Sequence, residues 1–135
     1  MIFADTSFWV ALRNRRDAHY DEARALLSEN DEAALVTSNH VRGETWTFLR
    51  RRAGLGAAVD FLDVLERSPR IRVATASEAT ESAALRWLRQ HDEREYSFVD
   101  VTSFLLMREL RIHDALAFDG DFSAAGFREL RAGTG

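Results

Sequence analysis

Met1-Ile2-Phe3-Ala4-Asp5-Thr6-Ser7 opens the chain and decides how the rest is read. Ile2, Phe3 and Ala4 form a short apolar run, which reads as a buried strand. Asp5 ends the run, and Thr6 and Ser7 then suit the start of a helix. The stretch therefore delivers a carboxylate to the carboxyl end of a strand, the edge at which open α/β sheets bind ligands.

Working outward, the pattern predicts a first helix over 6–13, with Phe8, Trp9 and Leu12 as apolar bulk, and a second capped by Asp17. The run 33–37 reads as a second buried strand, and Ser38 as the cap of a helix carrying Val41, Thr45, Phe48 and Leu49 on one side. That helix ends in Arg50, Arg51 and Arg52, where cations suit the helix dipole. Gly54 and Gly56 mark its boundary, and 57–65 reads as a further helix closed by Pro69. A strand over 71–74, helices over 77–91 and from Ser97, a strand over 115–118 and an edge strand over 127–130 complete the alternation. Such alternation, with no long linker, predicts one α/β domain over 1–131 with a mostly parallel sheet. Residues 132–135 read as a frayed tail.

Composition narrows the chemistry. The chain has 135 residues, 46% of them hydrophobic, enough for one core. No apolar stretch approaches a membrane span, and no secretory pattern is visible, so the expected location is cytoplasmic. There is no cysteine, which excludes disulfides and thiolate metal sites. Net charge is -4, which does not favour sequence-independent nucleic-acid binding as the main task. All 18 basic residues are arginine, however, and Arg13, Arg15 and Arg16 form one cluster, Arg50, Arg51 and Arg52 another. Guanidinium groups suit phosphates, although a solvated face is the plainer reading of most of them.

Four acids occupy comparable places. Asp5 follows the first strand, Glu44 lies in the second turn of the helix after the second strand, Asp100 lies in the first turn of the helix from Ser97, and Asp119 follows the fourth strand. Each has a plainer reading. Asp5 can be a helix cap, Ser97 and Asp100 a capping box, Asp119-Gly120 a turn, and Glu44 a solvated helix residue. Together they are harder to dismiss, because each sits in an apolar context expected to be partly buried. Two carboxylates ~5 Å apart repel by ~3 kcal/mol at an effective dielectric of ~20. An all-oxygen set with no cysteine points to Mg²⁺ or Mn²⁺ as the counter-charge, and such clusters perform metal-assisted phosphoryl chemistry.

The opening heptapeptide resembles the start of PIN-domain proteins. Glu44 within Thr37-Ser38-Asn39-His40-Val41-Arg42-Gly43-Glu44, Asp100 within Tyr96-Ser97-Phe98-Val99-Asp100, and Asp119 within Ala117-Phe118-Asp119-Gly120-Asp121-Phe122 resemble that family's later acidic motifs, in order and over essentially the whole chain. Length and an N-terminal site are similar to VapC toxins of VapBC toxin–antitoxin pairs. The resemblance implies a three-layer α/β/α sandwich and a Mg²⁺- or Mn²⁺-dependent endoribonuclease cutting tRNA or rRNA by metal-activated water. It also implies a homodimer and a VapB-like antitoxin. Carried over by position, Asp5 and Asp100 are the main metal ligands, Glu44 and Asp119 complete the catalytic acids and hold metal directly or through water, and Asp121 is a further candidate ligand. Thr6 or Ser7 would orient a ligand or phosphate, and Arg13, Arg50 and Arg51 would hold RNA backbone. Ala117 departs from the Thr or Ser that many relatives carry there.

Other readings rank lower. His19, His40, His91 and His113 accompany no nucleophile motif, and only His40 is spaced to meet Glu44. Trp46 and Phe48 suit core packing, with base stacking as a lesser role. A haloacid-dehalogenase-like phosphatase would use Asp5 as nucleophile but needs a second Asp where Ser7 stands. A non-catalytic PIN-like interaction module has no need of mutually repelling carboxylates.

Overall fold

The structure, a computed structural model, describes residues 1–133. Strand β1 (Ile2–Ala4) is the middle of a five-stranded sheet, flanked by β2 (Leu35–Ser38) and β4 (Asp114–Leu116). Beyond them lie β3 (Ile71–Ala74) and β5 (Arg128–Glu129), giving the order β3-β2-β1-β4-β5 with every pairing parallel. Ile2, Phe3 and Ala4 are all buried, as a central strand covered on both faces requires.

Helices α1 (Thr6–Arg13) and α2 (Tyr20–Glu29) connect β1 to β2, and α3 (Asn39–Arg52) and α4 (Leu55–Arg67) connect β2 to β3. The chain then returns through α5 (Glu78–Gln90) and α6 (Phe98–Glu109) to β4, and through the short α7 (Asp121–Ala124) to β5. Parallel crossovers are right-handed, so reversing direction along the sheet changes the face on which the helices lie. Helices α1–α4 therefore cover one face and α5–α7 the other, making an α/β/α sandwich. The reversal falls between β1 and β4, which is where such sheets open a crevice beyond their carboxyl ends. Phe3, Phe8, Trp9, Phe61, Phe104 and Phe122 are the large fully buried rings of the core.

The bounds of β1, α1 and β3 coincide with those expected from sequence. Elsewhere the differences have local causes. Asp17 does not cap α2; its Oδ1 accepts the His19 N–H at 2.8 Å in a tight turn, and the helix starts at Tyr20. Strand β2 starts at Leu35 because Ala33 is still bonded through its N–H to the Asn30 carbonyl at 3.0 Å. Helix α4 begins at Leu55 rather than at 57, since Gly54, with φ of 92°, alone makes the break. Strand β4 ends at Leu116, and the Phe118 N–H turns to the Ser7 hydroxyl at 3.1 Å. In the expected tail, the Ala132 and Gly133 N–H groups donate to Glu22 and Glu29; residues 134 and 135 lie outside the described residues. Among the described residues no helix is long and apolar enough to cross a membrane.

Candidate metal centre

Asp5 is positioned by two adjacent strands. Its N–H donates to the Leu116 carbonyl at 3.0 Å, so β4 holds its backbone. Its side chain caps α1, with Oδ2 accepting the Ser7 N–H at 3.2 Å and the Ser7 hydroxyl at 2.9 Å. The same hydroxyl accepts the Phe118 N–H, so Ser7 ties Asp5 to the segment that carries Asp119. The capping reading of Asp5 is thus correct and compatible with a second role, because the helix start aims the carboxylate over the crevice.

Asp100 repeats the pattern from the other face. Ser97 and Asp100 form a full capping box: the Asp100 N–H donates to Ser97 Oγ at 2.9 Å, and the Ser97 N–H donates to Asp100 Oδ2 at 3.0 Å. Asp119 follows β4, and its Oδ1 accepts the Asp121 N–H at 3.1 Å. One carboxylate oxygen from each of Asp5, Asp100 and Asp119 lies within 4.8 Å of the others.

The electrostatics follow from burial. Asp5 is 2% exposed; its burial, then the charges of Asp119 and Asp100, push its carboxyl up to about 8. Burial likewise raises Asp100 to about 6, against the Ser97 N–H bond that favours the charged form, with Asp121 and Asp119 adding to the rise. Asp119 is exposed as a residue, but its carboxylate is enclosed enough for desolvation to raise it too. Three carboxylates that resist shared ionisation in this way are a strong site for a cation. The donor set fits a hard divalent ion, being all oxygen. Thr6 adds a second sign, since its buried Oγ1 has no hydrogen-bond partner among the described residues and Thr6 lines the same cleft.

That cleft has a volume of about 730 Å³. Glu44 lines it but stays outside the group of three and is exposed, against the expectation of partial burial. The cause is helix phase: the buried stripe of α3 is Val41, Thr45 and Leu49, and Glu44 stands beside it. Asp121 also lines the cleft outside the group, and Arg94 Nε holds its Oδ1 at 2.6 Å. Phe48 and Arg52 continue the wall beyond Glu44, with the guanidinium 4.3 Å from the ring centroid. They also line an adjoining groove of about 450 Å³ with Thr47 and Arg51.

The expected arginines divide. Arg51 borders the adjoining groove, Arg50 borders neither hollow, and Arg13 lines a different groove with Tyr20 and Arg24. Arg52 is the cluster member at the cleft, and its spacing of four from Phe48 and eight from Glu44 was the available signal. His40 does not meet Glu44; its Nε2 lies 2.6 Å from Glu81 on α5. Two features had no sequence signal. Arg94 sits in a charged loop and reaches Asp121 and the Asp119 carbonyl. Glu129, buried on edge strand β5, accepts the Gly120 and Ser123 N–H groups and so holds the turn after Asp119.

Comparison with known proteins agrees with this geometry. The family profile of the PIN domain matches residues 2–128. The 23S rRNA-specific endonuclease VapC20 of Mycobacterium tuberculosis is 53% identical over 131 residues, covering 97% of this chain and 98% of that protein, in both strain CDC 1551 and strain H37Rv. The crystal structure of Mycobacterium tuberculosis VapC20, described as a sarcin-ricin loop cleaving toxin, superposes with a TM-score of 0.91 at 51% identity, covering 97% of this chain and 99% of that one. With its all-parallel sheet, its acids at the β1/β4 crevice and a match over nearly its whole length, the chain belongs to the PIN-domain family.

Proposed function

We propose that this chain is a divalent-metal-dependent endoribonuclease of the VapC kind, acting on ribosomal RNA. The observation that carries the reading is the convergence of Asp5, Asp100 and Asp119 oxygens within 4.8 Å at the sheet's reversal point. In this reading those three acids hold Mg²⁺ or Mn²⁺. Such an ion, when bound, would neutralise phosphoryl oxygens and lower the pKa of a coordinated water.

The chain's own groups set the conditions for that chemistry. Asp5 must give up the proton it holds near neutral pH before it can serve as a ligand, so acid opposes loading. Ser7 keeps Asp5 aimed by donating to its Oδ2, and Thr6 offers its unpartnered hydroxyl to a ligand or phosphate. Glu44, exposed on the facing wall, completes the acidic lining. Arg52 and Arg51 receive the RNA backbone along the cleft and its adjoining groove, and Phe48 gives Arg52 a surface to rest on. The expected products carry a 5′-phosphate and a 3′-hydroxyl.

A VapB-like antitoxin and a second copy of the chain are the proposed partners, with the cytoplasm as the place of action. Leu55 and Val59, exposed one turn apart on α4, offer them apolar surface. The test is incubation of intact ribosomes and total RNA with the protein, with and without Mn²⁺, and mapping of new 5′-phosphate ends. A discrete metal-dependent cut in 23S rRNA is expected. No cut in any RNA with metal present would overturn the reading.

A further inference from the structure

The acid chemistry leaves one wall of the cleft unused. Asn14, Asp17 and His19, from the connection between α1 and α2, line it together with Phe118. This connection is internally tied. The Asp17 N–H donates to the Asn14 carbonyl at 2.9 Å, Asn14 Oδ1 accepts the Arg16 N–H at 3.1 Å, and Asp17 Oδ1 accepts the His19 N–H. So short a closed turn fixes the backbone from which His19 projects.

The His19 ring lies flat on Phe118, with centroids 4.4 Å apart and planes 3° from parallel. Phe118 immediately precedes Asp119, and its N–H is bonded to the Ser7 hydroxyl that also grips Asp5. The ring pair is thus fixed to the backbone that places two of the three acids. Arg131 lies 5.6 Å from the Phe118 ring centroid, adding a cationic group to the same stack.

Plainer roles do not account for this arrangement. His19 stands at the N-cap of α2 but makes no side-chain cap bond. Its Nδ1 lies 3.9 Å from Glu22 Oε1, at the outer limit of an ion pair. Nor does the ring fill the core, since 48% of its side chain remains exposed. An aromatic ring stacked on one side, open to the cleft and rigidly held beside a phosphate-handling site is the form of a nucleobase platform.

We propose that His19, backed by Phe118, stacks on the nucleobase of a nucleotide adjoining the scissile phosphate and so sets the register of the RNA over Asp5 and Asp119. This rests on the ribonuclease reading above. The base is recognised through its π-face, which every base has, so the platform fixes position and splays the strand without reading a particular base.

The experiment compares wild type, His19→Ala and His19→Phe with Mn²⁺ on a synthetic RNA hairpin bearing the sarcin-ricin loop and on 23S rRNA. It also uses hairpins with a single abasic site on either side of the cut. Loss of one base–aromatic stack corresponds to roughly 10-fold in affinity. His19→Ala should therefore raise KM about 10-fold with a smaller change in kcat, and His19→Phe should restore KM. One abasic substrate should abolish the difference between wild type and His19→Ala. The proposal is overturned if His19→Phe is as impaired as His19→Ala, if the loss lies in kcat alone, or if both abasic substrates keep the full difference. Melting temperatures with and without Mn²⁺ should match across the three proteins; a His19→Ala that melts well below wild type would mark a structural role and also overturn it. Failure of wild type to cut either RNA removes the ribonuclease reading itself, a separate result.

Discussion

Asp5 and Glu44 both follow a strand, but the fold treats them oppositely. Asp5 is the residue next to β1, held by β4 through its backbone and by Ser7 through its side chain, and is 2% exposed. Glu44 lies six positions past the end of β2, on the second turn of α3, and is exposed. A residue at a strand end is located by the sheet, whereas one inside a helix is located by the phase of that helix. The first kind of placement buries a carboxylate whatever its charge costs, and that cost is what a cation relieves. The second leaves the carboxylate hydrated, able to reach the cleft without being forced into it.

Substitution at Asp5 should have the largest effect. Asp5→Asn keeps an oxygen to accept from Ser7 but removes the charge, and activity on RNA should fall by at least about 10³-fold with the circular dichroism unchanged. Retention of metal-dependent cleavage would break the contrast with Glu44. Glu44→Gln should cost less, roughly 10-fold in kcat/KM, because its carboxylate stands outside the group of three. An effect as large as that of Asp5→Asn would show that Glu44 swings in to join them.

Stability against pH sharpens the same contrast. Asp5 and Asp100 are raised to about 8 and about 6, so between pH 4 and 8 the folded state holds protons that the unfolded state has released. Stability of the metal-free protein is then greatest below about pH 4 as far as these groups decide it, and falls as pH rises through 6 and 8. The melting temperature without metal should drop from pH 5 to pH 8. Asp5→Asn should flatten the upper part of that fall. The smallest effects are expected at the arginines: Arg52→Ala should raise KM by roughly 5-fold, while Arg50→Ala, which borders neither hollow, should change it less than about 2-fold.

The same distinction explains what could be read before folding. The heptapeptide 1–7 told the strand, the helix and the acid together, because strand ends and caps are local. Ser97 and Asp100 were legible for that reason too, and their capping-box reading and their place at the site turned out to be one fact. Alternation alone pointed to a mostly parallel sheet, and every pairing is parallel. Rotation of α3 was not legible, so Glu44 was expected to be partly buried, and Arg50, which borders neither hollow, was read together with Arg51. Neither were long-range pairings. Arg94 with Asp121 spans 27 positions, and His40 with Glu81 spans 41. The stack of His19 on Phe118 joins a turn to the end of a strand ninety-nine positions later, and no periodicity marks it.

We propose that Asp5, Asp100 and Asp119 form one metal-holding unit to which Glu44 is peripheral. Calorimetric titration of Mn²⁺ into the metal-free protein near pH 7, repeated in buffers of different ionisation enthalpy, tests it most directly. Wild type should bind with release of about one proton, since Asp5 must deprotonate. Glu44→Gln should bind within about threefold of wild type, and Asp5→Asn should show no measurable binding. Equal Mn²⁺ affinity in wild type and Asp5→Asn, or loss of binding in Glu44→Gln alone, would contradict it.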